Sequence, residues 1–201
     1  MRITTLDALR ALYGSPRERS VKKELPHLDV HCTRFIELSP LVVVASTGVG
    51  GAMDASPRGG QPGFVRVPDS TTVLIPDSPG NNRLDTLENI LQMGQVGLLF
   101  LVPGIDETLR INGQACLSTQ EADLALCADA KRVPKLVIRV TVQAAYLHCA
   151  KALMRSNLWD PSRHVDRSVM PSMGEMLKDQ IGGDIAAETQ EQMLVRYAQD
   201  L

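Results

Sequence analysis

Apolar positions along this chain recur with two different periods. Residues 41–46, Leu-Val-Val-Val-Ala-Ser, are β-branched and apolar and predict a buried strand. Residues 64–67 and 71–75 are two short strands parted by Pro68-Asp69-Ser70, a hairpin with polar turn chemistry. Strands are also predicted over 96–102, 108–117 and 135–142, with a bulge or bend at Asn112-Gly113. Helical spacing replaces this pattern at Leu84, Leu87, Ile90 and Leu91, which predicts a helix over 83–93. Leu6, Leu9 and Leu12 predict a first helix capped by Thr4 or Thr5. Leu28, Cys32, Phe35 and Ile36 predict a second, from Pro26 to about Glu37.

Residues 119–127 predict a short helix capped by Thr119, and 144–156 another. The stretch 171–201 is helical in pattern, broken at Gly182-Gly183, with Asp184 as the next cap. Residues 47–63, with six glycines and two prolines, read as a long loop, 76–82 as a second loop and 15–24 as a charged linker. About six strands in hairpin order, with helices around them, favour an antiparallel β-barrel with peripheral helices, an α+β class, over a Rossmann fold. A length of 201 residues suits one domain, with N-terminal helices to about 37 and a helical extension from about 165.

Composition narrows the function. A hydrophobic fraction of 44% supports a core, and a net charge of -2 gives no overall field to attract nucleic acid. Aromatics at 3% leave few platforms on which single-stranded bases could stack. The densest apolar run, 96–102, is far short of the roughly 20 residues of a membrane span. The first residues lack an apolar run of signal-peptide length, so a soluble cytoplasmic protein is expected. Cys32, Cys116, Cys127 and Cys149 show no paired spacing and read as small buried hydrophobes. His27 and His31 have a metal-compatible spacing but lack the glutamate of a zinc-protease helix, so no metal is expected.

The segment Asp77-Ser78-Pro79-Gly80-Asn81-Asn82-Arg83 joins a strand to a helix. A cation in a first helical turn opposes the helix dipole, which makes sense if an anion binds there. Read from residues alone, this is either an anion loop or a turn with a surface arginine. Arg58, in the glycine-rich loop, is likewise either a loop arginine or an anion contact. Lys151, Arg155 and Trp159 recur at i, i+4, i+8, as a solvated face or as the wall of a planar ligand.

Ordered blocks over 63–161 resemble the FMN-binding split barrels related to pyridoxamine 5'-phosphate oxidase. They are Gly63-Phe64-Val65-Arg66-Val67, Ile75-Pro76-Asp77, Gly80-Asn81-Asn82-Arg83-Leu84-Asp85-Thr86-Leu87-Glu88-Asn89-Ile90, and Val96-Gly97-Leu98-Leu99-Phe100. Glu107-Thr108-Leu109-Arg110-Ile111-Asn112-Gly113, Pro134-Lys135-Leu136-Val137-Ile138-Arg139-Val140, the stretch 145–156 and Trp159-Asp160-Pro161 complete the match. The resemblance implies a six-stranded antiparallel split barrel and a homodimer with FMN at the interface. It implies an FMN-dependent oxidoreductase that passes hydride to or from a small molecule, or alternatively a non-enzymatic flavin or haem binder. Asn82 and Arg83 would hold the FMN phosphate, with Asn81 beside them among the cofactor-binding residues. Arg58, Val65, Pro76 and Asp77 would lie along the ring and ribityl chain. Arg110, Lys151, Arg155 and Trp159 would come from the neighbouring subunit or the rim. The C-terminal residues 192–201 lack the basic Arg-x-His-type segment of the vitamin oxidases, so pyridoxal phosphate synthesis is not expected.

Overall fold

The computed structural model describes residues 2–182 and 186–199. The chain divides into two compact units, Met1–Trp159 and Asp160–Leu201. The first begins with α1 (Leu6–Tyr13), capped by the Thr5 hydroxyl, which accepts from the Ala8 amide. A short exposed helix, α2 (Glu18–Lys22), lies inside the expected linker. Then comes α3 (Val30–Leu38), four residues later than its expected start at Pro26. Asp29 caps it, accepting from the Cys32 amide at 2.8 Å. The residues before it are tied down instead, with the Leu28 amide donating to Ser70 O. His27 therefore lies outside the helix that carries His31.

The strands are β1 (Leu41–Thr47), β2 (Met53–Gly59), β3 (Arg66–Asp69) and β4 (Thr72–Pro76). After α4 (Asp85–Met93) come β5 (Gln95–Leu101), β6 (Thr108–Ser118), α5 (Glu121–Leu126), β7 (Val137–His148) and α6 (Lys151–Ser156). They form one antiparallel sheet in the order β2-β1-β5-β6-β7-β4-β3, an α+β split-barrel-like fold. The sheet has seven strands where six were expected. The extra one is β2, cut from the loop expected over 47–63. Its sequence Met-Asp-Ala-Ser-Pro-Arg-Gly has no strand signature, but it sits at a sheet edge, where Pro57 costs no ladder bond on the open side.

The helix expected over 144–156 is a second correction. β7 runs on to His148, paired with β6, and only Lys151–Ser156 is helical. Leu25 also bridges to Ala145 through two backbone hydrogen bonds. Pairing on both sides outweighs the helix propensity of the alanines. The expected bulge at Asn112-Gly113 is present as a register shift against β7. A Cβ on Gly113 would come within 2.2 Å of Thr141 O, so no larger residue fits without opening the ladder. At α5, Thr119 does not cap. Gln120 holds the cap position, and its amide donates to the Ser118 hydroxyl.

The main core cluster is drawn from α3, β1, β4, α4, β5, β6 and β7, including Ile36, Val42, Leu87, Phe100, Ile111 and Ile138, and a smaller one gathers Leu74, Cys127 and Val137. Two cysteines depart from expectation: Cys32 and Cys127 are buried, but Cys116 and Cys149 are exposed. Burial pushes the Cys32 and Cys127 thiols up to about 11. Because the thiolate is the reacting species, neither should react with a thiol reagent at pH 8 until the protein is unfolded. Labelling of native protein followed by peptide mapping checks this.

The second unit holds α7 (Met173–Ile181) and α8 (Gln190–Tyr197), each opened by a capping box, Ser172 with Glu175 and Thr189 with Gln192. The expected cap Asp184 lies outside the described residues. Among the described residues, no helix is long and apolar enough to cross a membrane.

Candidate functional site

Pro76 ends β4, and the Asp77 amide donates to Leu136 O, so the chain leaves the sheet beside the segment leading into β7. The loop that follows is shaped by its asparagines. The Asn81 side-chain Oδ1 accepts from the Arg83 backbone amide at 3.0 Å, and Asn82 takes a left-handed φ of 60°. The loop feeds α4, whose cap residue, Leu84, provides no side-chain hydrogen bond. The first amides of this helix thus lack a capping side chain. Two polar contacts pin the helix to the sheet: Thr86 Oγ1 donates to Asp54 on β2, and Asn89 Nδ2 donates to Ser46 Oγ on β1 at 2.9 Å.

Between β2, this loop, the start of α4 and the segment before β7 lies a cleft of about 590 Å³. Phe64, Leu87 and Leu136 give it apolar walls, and Arg58, Arg83, Arg132 and Lys135 face it, against Asp77. A smaller hollow of about 180 Å³ adjoins it, sharing Phe64 and Asp77 and reaching Arg66 and Cys127. The excess of cations suits an anionic ligand.

Depth separates the two of these candidate arginines that lie on the cleft, Arg58 and Arg83. Arg83 stands just before the helix, not in its first turn as expected, and its Nε pairs with Asp85. Its side chain is 78% exposed, and Asp85 holds its guanidinium charged by raising its pKa. Arg58 is 19% exposed and pairs with Asp77, itself 21% exposed, at 2.9 Å. Among the described residues, the buried Arg58 Nε has no hydrogen-bond partner.

The cleft gathers Arg58, Pro76, Asp77, Asn81, Asn82 and Arg83. Val65 is buried in the core and is not on the cleft lining. The remaining four candidates also lie off it. The Arg110 guanidinium stands 5.4 Å from the Tyr146 ring centre. Lys151 and Arg155 are exposed on α6. That helix ends at Asn157, with φ 48°, so Trp159 does not continue its face. Trp159 Nε1 donates to Ile105 O at 3.0 Å. Sequence reading missed Arg132 and Lys135. Their signal was the run Lys131-Arg132-Val133-Pro134-Lys135, cationic and stopped by a proline before a strand.

An antiparallel split-barrel-like sheet, with a cationic cleft beside an uncapped helix start, places the chain in the split-barrel class. Residues 28–149 match the pyridoxamine 5'-phosphate oxidase family, and the match spans the whole sheet. The chain belongs to that family. In structure it is similar to HupZ of Group A Streptococcus, at 20% identity over 60% of this chain and 93% of that one, with a TM-score of 0.50. It is also similar to a Lactobacillus delbrueckii protein named for pyridoxamine 5'-phosphate oxidase, at 16% identity, 62% and 98% coverage and a TM-score of 0.47. A further likeness is to the FAD binding protein of Mycobacterium smegmatis, at 18% identity, 62% and 100% coverage and a TM-score of 0.42. The HupZ likeness supports the fold. No curated protein matches the chain in sequence.

Proposed function

We propose that this protein binds FMN in the cleft and works as an FMN-dependent oxidoreductase on a small molecule. The observation that carries this reading is the cleft itself. It has the volume of a cofactor site, apolar walls, and cations at its mouth and floor. Asn81, Asn82 and the first amides of α4 would hold the phosphate. Arg83 would turn from Asp85 to join them, which costs little because an exposed ion pair is weak. Phe64, Pro76, Leu87 and Leu136 would exclude water from the ring. The bound flavin would supply hydride transfer. Membership of an oxidase family supports the redox role.

The proposed working form is a cytoplasmic homodimer, its core one FMN-binding domain with helical additions at both ends. Arg110, Lys151, Arg155 and Trp159 would then reach FMN from the neighbouring subunit, as they lie off the cleft of their own chain. The test is the visible spectrum after FMN is added and the protein desalted. Retained oxidised-flavin bands are expected. A colourless protein refutes the proposal, and a haem spectrum from the purified protein redirects it. Arg83→Ala removes one charged contact of about 1.5–3 kcal/mol, so FMN should bind roughly ten- to hundredfold more weakly. Titration by flavin fluorescence reads this, and unchanged affinity would remove Arg83 from the phosphate site.

A further inference from the structure

The Arg58–Asp77 pair is an unusual thing to find on the floor of a ligand cleft. Both side chains are about four-fifths buried, and the guanidinium spends one donor on Asp77 while its Nε, fully shielded from water, meets no acceptor. A buried charged donor left unpaired is costly, so the Arg58 guanidinium holds donor capacity that its own chain leaves unspent. The ligand's orientation follows from the exposure gradient. The Arg83 loop lies at the solvent mouth and the Arg58 pair at depth. An amphipathic cofactor held by its phosphate at the mouth therefore brings its buried end to Arg58. On an isoalloxazine ring the acceptors are the nitrogen and carbonyl groups of the pyrimidine edge. The opposite, dimethylated edge has none. Only the pyrimidine side or a ribityl hydroxyl offers acceptors to the part of the Arg58 guanidinium that lines the cleft.

We propose that Arg58 and Asp77 form an opposed pair that sets the reduction potential of the bound flavin. This rests on the FMN reading above. The pyrimidine edge is where negative charge gathers when the ring takes up two electrons. The Arg58 cation favours the reduced form and raises the potential. The Asp77 carboxylate, 2.9 Å from the guanidinium, offsets part of that field and lowers it. Asp77 also fixes the Arg58 side chain before the ligand arrives, which spares the cost of ordering a long side chain at binding. The pair bridges strand β2 and the loop after β4, so its geometry is set by two separate parts of the sheet.

The signature is a pair of shifts of opposite sign. Potentials are measured on FMN-loaded protein by equilibrium reduction against a reference dye, with dissociation constants from fluorescence. Arg58→Gln should lower the potential by a tenfold loss in preference for the reduced form, about 30 mV for a two-electron couple. Asp77→Asn keeps the shape and an acceptor for Arg58 but removes the charge, and should raise the potential by a similar amount. Arg58→Lys keeps the charge, holds the potential nearer the parent value, and serves if the glutamine variant releases FMN. Potentials that stay put, or that move the same way in Arg58→Gln and Asp77→Asn, overturn the pair's role while leaving the FMN reading intact. A parent protein that does not retain FMN overturns that reading and the proposal with it.

Discussion

Phe100→Ala is expected to lower the unfolding free energy of the first unit by about 3–5 kcal/mol. Phe100 is the penultimate residue of β5 and is fully buried. It faces Val42 across the β1 ladder and Leu109 across the β6 ladder, both also at zero exposure. Truncation removes most of a ring from a cluster whose walls are strands held by backbone ladders on either side. Such walls close poorly over a void, so the cavity persists and its cost adds to the lost transfer energy. Since whole domains are stable by only about 5–15 kcal/mol, this single change takes a large share. Urea unfolding followed by circular dichroism would read it as a shift in midpoint at constant slope. A loss under about 1 kcal/mol would mean that the core collapses around the gap, contrary to the tight packing argued from burial.

Arg139→Leu is expected to cost about 3 kcal/mol, the low end of the range for breaking a buried pair. Asp123 on α5 is only 4% exposed, accepts from Arg139 at 2.8 Å, and also accepts from the Ser118 hydroxyl at 2.6 Å. Removing the guanidinium leaves a carboxylate with one neutral donor in an apolar setting. Arg139 is itself about a third exposed, so water moderates the penalty. A second change separates charge from packing. Asp123→Asn in the Arg139→Leu background should recover part of the loss, because the stranded charge is gone while a hydrogen-bonding group for Ser118 remains. If the double variant is no more stable than Arg139→Leu, the pair's contribution is packing alone.

The same pair shows how reading the sequence met its limit. The strand over 135–142 was legible from its β-branched pattern, but nothing local says that Arg139 points at a helix formed 16 residues earlier. The loop over 77–83 was legible too, because glycine and asparagine advertise a turn by their own backbone freedom. Arg58 was visible only as an arginine in a glycine-rich stretch. Its burial, its partner 19 residues on and its unsatisfied Nε come from strand pairing.

By itself, the sequence determined what short-range chemistry can determine. The hydrophobic runs at β1, β4, β5 and β6, the amphipathic spacing of α4, the Asn112-Gly113 bulge and the family resemblance are all written in neighbouring residues. Tertiary structure decided the rest. The polar segment 53–59 is a strand because β1 offered it an edge, and 143–148 extends β7 because β6 on one side and Leu25 on the other compete with helix formation. Residues 132–135 of the basic run line the cleft because β7 enters the sheet beside β4. Each of these outcomes depends on hydrogen bonds between residues far apart in sequence, and a local pattern carries no record of which distant backbone will be there to pair with it.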